Sequence, residues 1–95
     1  MIEVKRTNNS ITIKGHAHYA EPGKDIVCAG VSTLAQNLIA SIVGLTVDEI
    51  QYEMQPGNIE IKYRSLSEAA QLLVDSFFVG INLIADEYPN HVKLV

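Results

Sequence analysis

Ninety-five residues carry 47% apolar side chains, a formal net charge of −4 and one cysteine. That length makes one domain over residues 1–95, and the apolar share excludes a disordered chain. The acidic balance, with Lys and Arg scattered, argues against direct nucleic-acid binding, whose mark is a basic stripe. A lone cysteine excludes an internal disulfide and fits the cytoplasm.

Asp25, Asp48, Asp75 and Asp86 punctuate the apolar segments, so no membrane-spanning helix is expected. The charged start at Glu3, Lys5 and Arg6 has no apolar run behind it, so no secretory signal is expected either.

Ile2 and Val4 alternate with charged residues, as Ile11 and Ile13 do after the polar Thr7-Asn8-Asn9-Ser10. That pattern predicts a β-hairpin. Residues 14–23 lose the alternation and contain the turn marker Pro22-Gly23. From Asp25 to about Val43, the spacing of Val27, Val31, Leu34, Leu38 and Ile42 predicts an amphipathic helix, capped near Asp25 and stopped at Gly44.

Alternation returns in Ile50, Tyr52 and Met54 and again in Ile59, Ile61 and Tyr63, around the turn Gln55-Pro56-Gly57-Asn58. Ser65-Leu66-Ser67-Glu68 has capping-box spacing. The helix it opens runs to about Tyr88, before Pro89, with Leu66, Ala69, Leu73, Phe77, Ile81 and Ile84 as its core stripe. Phe78, Val79 and Leu83 leave it a second apolar side, packed on the first helix or part of a self-association surface. His91-Val92-Lys93-Leu94-Val95 reads as a final strand. The order ββαββαβ predicts an α/β (α+β) sandwich, two helices covering one mostly antiparallel sheet.

A lone cysteine on a helix is usually a small buried hydrophobe. Cys28 departs from that pattern by position, because a helix starting near Asp25 puts its thiol in the first turn. There the dipole favours a thiolate, and the amides of Cys28 and Ala29 would be free to hold an oxyanion. His16 and His18 are both candidate bases upstream. Asp25 either caps the helix or orients an imidazole. Zinc is not expected, since structural sites use paired cysteines and no usual ligand spacing links His16, His18, Cys28 and His91.

Residues 15–32 read Gly15-His16-Ala17, five variable residues, Gly23, one variable, Asp25-Ile26-Val27-Cys28-Ala29, one variable, Val31-Ser32. This resembles the signature of the bacterial ribosomal-processing cysteine protease family Prp, with all eleven fixed positions filled. The resemblance implies Cys28 as nucleophile and His16 as general base, with Asp25 and Ser32 near the site. It implies a homodimer with a mobile loop over the active site, here about Ala17 to Lys24 with Gly23 as hinge. No cofactor is expected. The implied substrate is the N-terminal extension of a large-subunit ribosomal protein, L-twenty-seven, cut after an aromatic residue in an apolar segment. The rival class is a binding module that holds a ribosomal protein or assembly factor without cutting it. A small-molecule regulatory domain is disfavoured because no phosphate-cradling glycine loop is present.

Overall fold

The apolar alternation builds one sheet. In the computed structural model, which describes residues 1–95, its strands are β1 (Ile2–Arg6), β2 (Ser10–Lys14), β3 (Gln51–Gln55), β4 (Asn58–Lys62) and β5 (Val92–Leu94). Their spatial order is β3-β4-β2-β1-β5. Every neighbouring pair is antiparallel except β1 and β5, which run parallel. The register sets Val4 against Ile13 and Ile13 against Ile59, while Ile11 lies against Ile61. Apolar side chains therefore line one face in rows, because strand side chains alternate.

Helices α1 (Ile26–Leu45) and α2 (Glu68–Glu87) cover that face. Val4, Ile11, Ile42, Ile61, Val74 and Ile81 are fully buried between the layers. Each such side chain contributes about 1.5–3 kcal/mol by leaving water, so this sandwich is held mainly by its apolar rows.

The helix ends differ from expectation in two places. Gly44 does not stop α1, which continues to Leu45 and is closed by Thr46, whose N–H and Oγ1 both donate to the Ile42 carbonyl. The cap of α2 is Ser67, not Ser65: its Oγ accepts from the Ala70 N–H at 3.1 Å. In a capping box a glutamate would take the cap residue's own N–H. Here Asp48, arriving from the α1–β3 connection, takes it at 2.7 Å and also accepts from the Ser67 hydroxyl.

Shifting the cap shifts the stripe. Ala70, Val74, Phe77, Phe78 and Ile81 are buried, Leu66, Leu73 and Ile84 are half-buried, and Ala69 is exposed. The apolar surplus of α2 divides. Phe78 is buried against Phe77, beneath the Arg6 guanidinium, 4.8 Å from its ring centre. Val79 and Leu83 remain exposed.

Residues 26–47 carry no charge, so the expectation of no span-like segment needs correction: both 20-residue helices are long and apolar enough to cross a membrane. Their inward stripes are spent on the sheet. The β3 alternation buries nothing. Tyr52 and Met54 share a face with Ile61 and Ile59, but β3 is an edge strand and all five of its residues are exposed.

One end of the sandwich gathers the exit of β2, the Pro56-Gly57 turn, the start of β5 and the N-terminus of α1. The Gly15 N–H donates to the Gly57 carbonyl at 2.9 Å and ties two of these together.

Candidate active site

Asp25 caps α1, and its carboxylate accepts four backbone N–H groups. Oδ1 takes Val27 and Cys28, both at 3.0 Å, and Oδ2 takes Tyr19 at 2.9 Å and Ala20 at 3.2 Å. The residue therefore fastens the 15–25 segment to the helix entrance, and none of its bonds goes to an imidazole. In this geometry it is the cap of α1.

Burial pushes the Asp25 carboxyl up, but the N–H groups of Cys28, Ala20, Tyr19 and Val27 together outweigh it and hold the group below its usual range. Ser67 does the same to Asp48, and the Arg6 guanidinium with Gln71 to Asp75. Depressed carboxyls give stability that is complete above the unfolded value, near ~3.9, and lost as pH falls through the folded values. The urea midpoint is accordingly expected to be flat near neutrality and to drop below about pH 4. Asp25→Asn should make that drop shallower; an unaltered acid limb in this variant would contradict the assignment.

Cys28 is the third residue of α1 and is half-buried at the margin of the core. Its first-turn position is as expected, but the amides near it are not free. The Cys28 N–H is taken by Asp25 Oδ1, and the Ala29 N–H donates to the Asp25 carbonyl at 3.0 Å. An aspartate cap consumes the donors that an unoccupied helix start would offer. The amide that reaches the sulfur is Ala17's, 3.3 Å from Sγ.

The residue before that amide is His16. The strand stops at Lys14, so His16 and His18 do not continue its alternation; His18 sits at φ +55° with its ring centre 6.0 Å from that of His16. Both imidazoles are exposed. The His16 ring lies on Gly57, whose φ of +73° is the left-handed value a glycine supplies at the third position of a Pro-Gly turn. A Cβ there would stand 2.6 Å from Nε2, so only glycine leaves the ring its place.

Ser32 follows Cys28 by one helical turn on the same flank and is half-buried. Gly23, at φ +85°, sits in the exposed turn of the 17–24 segment with open space around its Cα.

Two features of this end were not anticipated. His91, at the threshold of β5, has Nδ1 2.8 Å from the Ala17 carbonyl oxygen. Tyr19 packs edge-on against both Tyr88 and His91, with ring centres 5.2 and 5.4 Å apart. Only the parallel β1–β5 pairing brings the C-terminal strand here, and no local pattern encodes that pairing.

A thiol at a helix entrance, an exposed imidazole one residue before the amide that meets it and a clamped loop can perform acyl transfer. Comparison with known proteins points the same way. The family described as Cysteine protease Prp matches residues 1–93. The chain is 32% identical over 87 residues to a Staphylococcus aureus ribosomal processing cysteine protease Prp, covering 88% of this chain and 82% of that one. It is 30% identical over 97 residues to the Mycoplasma genitalium protein of the same name, covering 99% and 94%. Among solved structures, an S. aureus Prp in complex with a covalently linked product peptide superposes with a TM-score of 0.88 at 26% identity, over 98% of this chain and 94% of that one.

Proposed function

From the premise that the chain belongs to the Prp family of cysteine proteases, we propose that it removes the N-terminal extension of a large-subunit ribosomal protein, L-twenty-seven, during ribosome maturation. Cys28 is the nucleophile and His16 the general base. The observation that carries this reading is the seat of the chain's single thiol: first turn of α1, its sulfur met by the amide that follows His16. A cysteine protease with one cysteine has no other candidate nucleophile. The names of the S. aureus and M. genitalium relatives supply the ribosomal substrate class.

The chemistry follows from these atoms. His16 takes the thiol proton, and the Cys28 sulfur attacks the scissile carbonyl carbon. As the tetrahedral intermediate collapses, the C–N bond breaks and His16 gives the proton to the departing amine. His16 then takes a proton from water, whose oxygen attacks the thioester; as the C–S bond breaks His16 returns that proton to sulfur, leaving the free thiol and a carboxylic acid that ionises into solvent. No cofactor enters any step. Asp25 serves by holding the loop and the helix start together, and Ser32, one helical turn beyond Cys28, contacts substrate. With Ala17 staying anchored, the 17–24 segment opens about Gly23 when Asp25 releases the Tyr19 and Ala20 amides, and closes over an extended peptide to exclude water.

The enzyme works in the cytoplasm as a homodimer. Leu72, Val79 and Leu83 recur along one exposed side of α2 and supply an apolar surface for pairing. A net charge of −4 suits a basic protein substrate rather than nucleic acid.

Incubation with the extended ribosomal protein tests the proposal, the products being identified by mass. One cut after an aromatic residue near the substrate's N-terminus is expected. Stable binding of the extended protein with no cut would favour the non-enzymatic module instead.

A further inference from the structure

We infer that His91 is a positioning residue for the reaction at Cys28: by bonding the Ala17 carbonyl it fixes the residue whose N–H, on the preceding peptide unit, serves the reacting sulfur and then the oxyanion. The inference rests on Cys28 being the nucleophile and adds a role outside the signature segment. A carbonyl oxygen can only accept, so His91 Nδ1 must carry the hydrogen in its 2.8 Å bond to Ala17.

His91 is itself rigidly placed. Its N–H donates to the Tyr88 carbonyl at 2.9 Å and its carbonyl accepts from the Ile2 N–H at 2.8 Å. Tyr19 flanks the ring edge-on. At the other end of the contact, Ala17 is 1% exposed, so neither its carbonyl nor its amide has water as a ready substitute partner.

The choice of Ala17 as donor follows from the competition around the sulfur. Asp25 occupies the amides of Cys28 and Ala29, and Ala17 supplies the N–H that meets Sγ at 3.3 Å. When the S–C bond forms, sulfur gives up its negative charge and the carbonyl oxygen acquires it, two bonds away. A donor fixed at the sulfur therefore stands close to where that charge develops. Oxyanion donors act by being held in place beforehand. Here the holding group comes from β5, 74 residues along the chain from Ala17.

Three substitutions test this. His91→Asn keeps an N–H donor near the Nδ1 position, His91→Gln moves it beyond reach of the Ala17 carbonyl, and His91→Leu removes it. Leu and Gln are expected to lower kcat for peptide cleavage by about 10²-fold, the cost typical of a misplaced or missing oxyanion donor. KM should stay within about threefold, since the contact acts on the transition state. Both should also slow iodoacetamide alkylation of Cys28 below neutral pH, while Asn recovers most of both readouts. If His91→Leu does not fold, the comparison of Asn with Gln stands alone. Equal behaviour of Asn and Gln in both assays overturns the inference. Wild-type protein that alkylates readily yet cuts no peptide overturns the protease proposal instead, and the alkylation series still judges His91.

Discussion

Cys28→Ala is expected to lower cleavage of the extended ribosomal protein by at least about 10⁴-fold, the scale on which a covalent nucleophile is lost. Its effect on the fold should be small. The thiol is half-buried at the edge of the core, and deleting one such atom costs on the order of 1 kcal/mol. The variant should therefore keep the wild-type circular dichroism spectrum and a cooperative melt. Two outcomes argue against the mechanism: cleavage unchanged from wild type, or activity lost only together with the fold.

His16→Ala should cost about 10²–10⁴-fold in kcat/KM, the range for removing a general base. Being exposed, the side chain contributes little to burial, so stability is expected to stay near the wild-type value. The same variant should slow alkylation of Cys28 below neutral pH. His18 is the matched control: it lies in the same loop, its ring centre 6.0 Å from that of His16, yet no glycine platform receives it. His18→Ala is expected to remain within about threefold of wild type, because an exposed loop side chain outside the chemistry is normally tolerated. A larger loss at His18 than at His16 would reverse the assignment.

The layers were legible wherever periodicity dictated them. Val4, Ile13 and Ile59 alternate with polar neighbours, and Val27, Val31 and Leu38 recur at helical spacing, so both sheet face and helix face could be read. Expectation and structure differ where another residue overrides a local signal. Asp48 claimed the Ser67 amide and moved the α2 cap, and Thr46 took over the closure that Gly44 implied. Tyr52 and Met54 alternate like core residues, but their strand falls at the edge of the sheet.

The candidate site divides along the same line. Asp25, Cys28 and His16 lie in one short segment, and the position of Cys28 in the first turn of α1, behind an Asp25 cap, was readable there. The occupation of the Cys28 amide by Asp25 follows from side-chain rotamer and loop path, which composition does not encode. Gly57 beneath His16 and His91 against Ala17 depend on strand order, the second on a parallel pair closed through the whole chain. These long-range contacts tie the start of the loop, His16 and Ala17, to the sheet. The Asp25 clamp fixes its far end.

The most direct test is an acid-quenched intact-mass measurement on wild-type protein mixed with the extended ribosomal protein. The account predicts a transient species heavier by the acyl half of the cut substrate, which fragmentation places on Cys28 and hydroxylamine removes. Product formation with no such adduct at any quench time, or an adduct on another side chain, would contradict it.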